Sequence, residues 1–243
     1  MDLTQKSIVI TGGTSGIGTE LVRRLHHQSR LFVIARQSEH LDRLTAEFPS
    51  VIPCRSDLSS PDQVSAAAAN VMRQFSHVDL LINNAAIQHT PHLLDPSFSY
   101  ESIEREIAVN LTAACCLTAR LLPRMVRDEP TAVLNVNSGL ALVPKTQSAV
   151  YCATKGGLNL FSQSLRNQLE GTNVMVLQAF LPLVDTPMTA GRGEDKMTAA
   201  KAAERILHGI EHDIEDHDIG KVKLLRLLVR LAPGVARRIM KRA

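Results

Sequence analysis

Apolar and polar positions follow two rhythms along this chain. Apolar strand-like runs at 7–11, 31–35, 51–54, 80–83, 132–136 and 174–179 predict strands, and 31–35 (LFVIA) is continuous, as a strand covered on both faces should be. Between them, apolar residues recur at helical spacing over 16–28, 41–48, 63–75, 103–126 and 149–169. In the first of these segments Ile17, Leu21, Val22 and Leu25 fall on one face, and the fourth is closed by Pro130. A strand–helix alternation of this kind predicts one parallel sheet with helices on both sides. Right-handed crossovers make it doubly wound, an α/β fold of three layers in a single domain over 1–218. Ligands then belong at the carboxyl ends of the strands.

The pattern changes beyond residue 218. A short strand is expected at 219–222, then a Leu-rich helix over 224–232, an interruption at Pro233-Gly234, and a basic continuation over 235–241. Eight basic residues and no acid lie between Lys221 and Arg242. The whole chain carries +3, so the remainder carries −5. Such an amphipathic tail is expected to pack on its own domain or on a partner subunit. The other outcome is peripheral contact with an anionic membrane, apolar face inward.

Composition narrows the class. Hydrophobic residues are 44% of 243, aromatics only 3%, and Trp is absent, so the core must be built from Ala, Val, Ile and Leu. The small net charge gives no reason to expect a nucleic-acid partner. Cys54, Cys115, Cys116 and Cys152 show no metal-ligand or disulfide-framework spacing, so no metal site and a reducing, cytoplasmic setting are expected. The start, MDLTQKSIVITGG, reads as no secretory leader, and no uninterrupted apolar run reaches the ~18 residues of a membrane span.

The first strand leads into Thr11-Gly-Gly-Thr-Ser-Gly-Ile-Gly18. Gly12, Gly16 and Gly18, with Thr14, Ser15 and Ile17 between them, form a loop that can turn tightly and admit a pyrophosphate against its backbone. The following helix offers its N-terminal N–H groups to the phosphates. At the end of the second strand an acid would accept from a ribose 2′-hydroxyl, but Ala35-Arg36 stands there instead. A guanidinium suits a 2′-phosphate, which favours NADP(H) over NAD(H).

With these features the sequence resembles the short-chain dehydrogenase/reductase family along most of its length. The loop matches that family's TGxxxGxG. Asp57, with Leu58 beside it, matches the adenine-contacting position. Asn83-Asn84-Ala85-Ala86 matches NNAG, with Ala86 in place of Gly. Asn110 matches the helix Asn, Ser138 the catalytic Ser, and Tyr151 with Lys155 the YxxxK pair.

The resemblance implies hydride transfer between the cofactor and a carbonyl or secondary alcohol on a small, apolar substrate. Tyr151 would be acid/base, Ser138 the oxyanion donor, Lys155 the pKa tuner and ribose anchor, and Asn110 a relay. It also implies a homodimer or homotetramer. Tyr151 and Lys155 lie one helical turn apart, as a phenol needs if an ammonium is to lower a pKa near 10. The chain departs from the family's PGxVxT at Leu181-Pro182-Leu183-Val184-Asp185-Thr186, where Val184 and Thr186 remain for the carboxamide. The polar segment 187–198 holds the place of a substrate-covering loop, and His89, His92, Gln147 and Met188 are candidates for the pocket or for surface and packing positions. The alternatives are an NADP(H)-binding sensor or a membrane-surface protein, both without turnover.

Overall fold

The computed structural model describes residues 1–241, and Arg242 of the basic tail lies outside them. In chain order the elements are β1 (Ser7–Thr11), α1 (Gly16–Leu25), β2 (Arg30–Ala35), α2 (Ser38–Glu47), β3 (Ile52–Arg55), α3 (Pro61–Gln74) and β4 (Leu80–Asn83). Then follow α4 (Glu101–Ile107), a π-helical turn (Ala108–Thr112), α5 (Ala113–Leu121), β5 (Thr131–Ser138), α6 (Ala149–Gln168) and β6 (Val174–Leu181). The chain closes with β7 (Val184–Asp185), β8 (Met197–Thr198), α7 (Ala199–Glu211), β9 (Asp216–Asp218), α8 (Val222–Leu231) and α9 (Pro233–Lys241).

Seven strands form one parallel sheet in the order β3-β2-β1-β4-β5-β6-β9. Alternate side chains of each strand enter opposite layers, because the strand period is two. Ile8 and Ile10 pack with Leu21, Val22 and Leu25 of α1 and with Ala203 and Ile206 of α7. Val9 enters the other layer with Ala67 and Val71 of α3 and Leu117 and Leu121 of α5. The central strands are therefore buried on both faces, which is why β1, β2 and β4 read as mostly apolar runs.

Local chemistry fixes the helix starts. Ser60 caps α3 by accepting from the Gln63 N–H, and Pro61 occupies its first turn. Thr198 caps α7 in the same way through the Lys201 N–H. The expected long helix at 103–126 is α4 and α5 joined through the π turn. The stretch Glu101–Arg124 is long and apolar enough to cross a membrane by length and composition. Here it covers the sheet, with Leu117 and Leu121 in the core.

Two parts depart from the pattern. The apolar rhythm left 199–211 unassigned, yet α7 forms there, with Ala202, Ala203, Ile206 and Ile210 buried against α1 and the sheet. The last strand is Asp216–Asp218, not 219–222. It is a polar edge strand whose aspartates pair with Arg166 and Arg226, so no apolar run marks it. Gly220, at φ +58°, then turns the chain into α8.

The tail docks over the carboxyl edge of the sheet. A Cβ on Gly139 would stand 3.3 Å from Val222 and 3.2 Å from Leu225, a tight fit that the absence of a side chain relieves. Arg226 forks onto Asp218, at 2.8 Å for the longer contact, and lies 4.5 Å over the Phe180 ring. Thr146 donates to the Lys241 carbonyl at 2.7 Å. Leu227, Leu231 and Val235 remain exposed on the outward side.

At the opposite edge, Asp79 ties three strands together. Its side chain is 1% exposed and accepts from the Ser7 N–H at 2.7 Å and from Arg127. Its backbone joins β1 and β5, donating to the Ser7 carbonyl and accepting from the Ala132 N–H. Asp79→Ala leaves the buried Ser7 N–H without its acceptor and Arg127 with only the exposed Glu129 carboxylate, and is expected to cost about 3 kcal/mol. The urea midpoint of the variant measures this, and a loss below about 1 kcal/mol would show that water replaces the carboxylate.

Candidate active site

A cavity of about 1150 Å³ runs along the carboxyl ends of the strands, where the crossovers turn to opposite sides of β1 and β4. Its floor is the glycine loop. Gly12 has φ +69°, and a Cβ there would stand 2.9 Å from the Ala85 Cα. Gly16 has φ +52°, and a Cβ would meet Thr186 at 2.8 Å. Gly18 does not line the cavity: a Cβ on it would strike the Gly12 carbonyl oxygen at 2.0 Å, so its absence lets α1 pack against the turn.

The loop is tied to the β4 end. The Thr11 hydroxyl accepts from the Asn84 and Ala85 N–H groups, each at 3.0 Å. The Asn84 side chain donates to the Thr11 and Gly12 carbonyls, again at 3.0 Å. Ser15 at the N-cap of α1 makes no side-chain cap, and the first turn holds no acid. Thr14, Ser15, Gly16 and Ile17 line the cavity around that helix end, and Ala86 lines it beyond Ala85.

One end of the cavity is lined by Arg36, His40, Asp57 and Leu58. Arg36 is exposed. Burial raises the Asp57 pKa, but hydrogen bonds from the Ser59 N–H and hydroxyl, with the charges of Arg105 and Arg36, outweigh it and hold the carboxyl low. His40 was not anticipated. It lies in the first turn of α2, four residues beyond Arg36, and a lone His there carries no sequence signal.

At the centre of the cavity stand Ser138, Tyr151 and Lys155. Ser138 ends β5 beside Leu181 of β6. Its Oγ accepts from the Leu140 N–H at 3.2 Å, which leaves the hydroxyl proton free to donate. Tyr151 and Lys155 project from α6, with Lys155 Nζ 5.7 Å from the Tyr151 ring centroid. Lys155 is 3% exposed, and the Val136 carbonyl, at 2.8 Å, accepts from its ammonium. Burial lowers its pKa to about 8. Burial also pushes the Tyr151 phenol well above its ordinary value, helped by Cys152 and Glu106 and opposed by Arg192 and the Ser138 hydroxyl.

Asn110 lies in the π turn between α4 and α5, a bulge that aims its side chain inward. It holds the 87 backbone at both ends, donating to the Ile87 carbonyl and accepting from the Ile87 N–H, each at 2.8 Å. It does not reach the main cavity. It shares with Lys155 a small void of about 10 Å³, near the size one water needs.

The remaining candidates divide. Gln147 and Met188 line the cavity, as do Val184 and Thr186. His89 and His92 do not: the His89 N–H donates to the Glu106 carboxyl at 2.9 Å, which fixes that loop. Leu181 turns its side chain into the core, and Pro182 lines the cavity in the place of the family's Gly. Residues on the far wall carried no motif: Gln88, Lys145, Arg192, and Leu225, Leu228 and Met240 of α8 and α9.

These residues fit a nicotinamide dinucleotide. The glycine positions form a cradle that Cβ atoms would fill, a helix N-terminus faces it, and a cation stands at the end of β2. The central trio can hold a carbonyl oxygen between two hydroxyl groups with an ammonium behind one of them.

A model of the family described as short chain dehydrogenase matches residues 6–197. The uncharacterized oxidoreductase DltE of Bacillus subtilis is 33% identical over 187 residues, covering 76% of this chain and 74% of that protein. A fatty acyl-CoA reductase of Acinetobacter baylyi is 30% identical over 195 residues, and the match covers 76% of this chain and 64% of that protein. Among solved structures, a short-chain dehydrogenase from Sphingobium yanoikuyae in complex with NADPH superposes with TM-score 0.82 at 25% identity, covering 95% of this chain and 94% of the other. One from Burkholderia phymatum, in complex with NAD, gives 0.85 at 20% identity over 95% and 96% of the two chains. By sequence and by fold, this chain belongs to the short-chain dehydrogenase/reductase family of oxidoreductases.

Proposed function

We propose that the protein transfers hydride reversibly between NADP(H) and a carbonyl or secondary alcohol of a small substrate, with Tyr151 moving the proton. The observation that carries this reading is the Lys155 ammonium, buried behind the Tyr151 ring with a single carbonyl partner. A structural lysine gains nothing from that position, whereas a phenolate forming at Tyr151 would be stabilised by it.

The cofactor, when bound, supplies or accepts the hydride. The protein's part is proton transfer and orientation. In the reducing direction the Tyr151 phenol, held protonated by burial, donates to the developing alkoxide. Ser138 donates a second hydrogen bond to the same oxygen. Lys155 stabilises the phenolate left behind, and the void beside Asn110 gives its ammonium a route to a water. Thr186 and Val184 border the carboxamide side, and the glycine loop receives the pyrophosphate. The preference for NADP(H) is supported by Arg36, with His40 beside it and no carboxylate at the end of β2.

The first experiment is a titration with NADPH and NADH on wild type and Arg36→Ala. The variant is expected to lose NADPH affinity by about 10- to 100-fold, the value of a charge-assisted phosphate contact, while NADH is little changed. Equal losses for both would remove the NADP(H) preference. Tyr151→Phe is expected to cut kcat by about 10³-fold while still binding NADPH, and a variant with near-normal turnover would remove Tyr151 from the chemistry.

Lys155 sets the pH dependence. Because kcat/KM reports the free protein, carbonyl reduction is expected to be level below about pH 8 and to fall above it as the ammonium is lost. Stability runs the other way. The folded pKa of about 8 lies below the ordinary 10.5, so the unfolded chain binds more protons between those values and stability rises with pH across that window. Lys155→Met is therefore expected to raise the melting temperature of the cofactor-free protein at pH 7 while cutting turnover. A lower melting temperature would show that the Val136 contact outweighs desolvation.

A further inference from the structure

The substrate end of the cavity holds two cations that hydride transfer leaves without a role. Lys145 lies in the loop after β5, with its N–H directed at the thiol of Cys152, the residue that follows Tyr151. Arg192 lies in the loop between β7 and β8. Its guanidinium donates to Gln88 Oε1 at 2.7 Å and to the Met188 carbonyl, which places it across the cleft from α6.

Neither side chain has a carboxylate within ion-pair distance among the described residues. Neighbouring lysines do: Lys196 faces Asp185 at 3.3 Å and Lys221 faces Asp195 at 3.9 Å. Among the described residues the cavity lining contains one carboxylate, Asp57, at the end that also holds Arg36. Lys145 and Arg192 are both half-buried, both line this cavity and carry the same charge. Burial and then the Arg192 charge lower the Lys145 pKa, and Arg192 also acts on the Tyr151 phenol. Two unpaired cations sharing a low-dielectric cleft are held at a cost that a bound anion removes. An oxyanion there gains charge-assisted hydrogen bonds from both.

We propose that the substrate is a carbonyl compound bearing an oxyanion, a carboxylate or a phosphate, seated between Lys145 and Arg192 while its carbonyl meets Tyr151 and Ser138. This rests on the oxidoreductase reading and deepens it. The wall formed by Leu225, Leu228 and Met240 takes the hydrocarbon part, so the substrate class is an amphipathic oxo acid or oxoalkyl phosphate, not an uncharged ketone.

The test compares a medium-chain oxo carboxylate, its methyl ester, and the matching oxoalkyl phosphate as substrates with NADPH. Wild type, Lys145→Met and Arg192→Gln are assayed at low and high salt. Wild type is expected to prefer at least one anion over the ester by about tenfold or more in kcat/KM, the value of a charge-assisted hydrogen bond. The ratio is expected to fall toward one in both variants, mainly through KM, and to shrink with salt. Whichever anion shows the larger ratio identifies the source of the oxyanion.

A ratio near one in wild type, or a ratio unchanged in both variants, overturns the proposal. So does an Arg192→Gln variant that weakens NADPH binding instead, since Arg192 would then serve the cofactor. If NADPH binds and none of the three is reduced, the reductase reading fails for these carbonyls, and the anion site is judged by titrating NADPH-loaded protein with the carboxylate and the phosphate. Nicotinamide fluorescence that responds to either anion in wild type and not in the variants keeps the site. No response in wild type removes it.

Discussion

The structure depends on how closely the turn after β1 approaches the end of β4. These strands are neighbours, and the crossovers on either side of them leave in opposite directions. A crevice must open between them, and the chain has to hold that crevice open without filling it. Thr11 and Asn84 do this with reciprocal hydrogen bonds. Gly12 and Gly18 do it by lacking Cβ atoms, since a methyl group at either would collide with backbone. One requirement thus fixes the direction of α1, the exposure of its N-terminus and the width of the cavity.

Around that crevice the molecule places groups where they are least stable on their own. Lys155 is buried with one carbonyl acceptor, Tyr151 is kept neutral by burial, and Lys145 and Arg192 line the cleft with no carboxylate partner among the described residues. None of these contributes to folding as an apolar residue of similar size would. The sheet tolerates them because its two apolar layers are nearly continuous, from Ile8 and Val33 on one face to Val9 and Phe75 on the other. The cost is local, and in the proposed reaction it is offset as phosphates meet the glycine loop and Arg36, as a phenolate forms at Tyr151 beside Lys155, and as an oxyanion reaches the far end.

What the sequence makes legible follows from the same physics. The buried strands appear as apolar runs because both of their faces are covered. The glycine loop appears because its residues are dictated by backbone geometry, and Tyr151 and Lys155 appear because helical spacing puts them on one face. β9 escapes that logic because its aspartates are matched by Arg166 and Arg226, so its stability lies in pairs that a hydropathy pattern cannot register. The helix α7 was within reach, since Ala202, Ala203, Ile206 and Ile210 have helical spacing, but alanine is a weak marker of a core face. The π turn at Asn110 carries no signal at all, because one extra residue per turn changes direction and not composition. Lys145 and Arg192 lie on separate loops, and only the folded chain brings them together.

The tail shows why substrate choice is the hardest part of such a chain to read. Its leucines look like those of any amphipathic helix, and its charges like those of a membrane-binding segment. In the fold, Arg226 is held by Asp218 and Phe180, Val222 and Leu225 press on Gly139, and Leu228 and Met240 turn toward the cavity. The same helix therefore completes the pocket with one face and leaves Leu227 and Leu231 in solvent with another. The cavity wall formed by Leu225, Leu228 and Met240 comes from a segment outside the region matched by the family model, which ends at residue 197. The crevice at the sheet edge is shared with the family, and α8 and α9 add an apolar wall to it. A change in α8 or α9 can thus redirect specificity without touching Tyr151, Lys155 or the glycine loop.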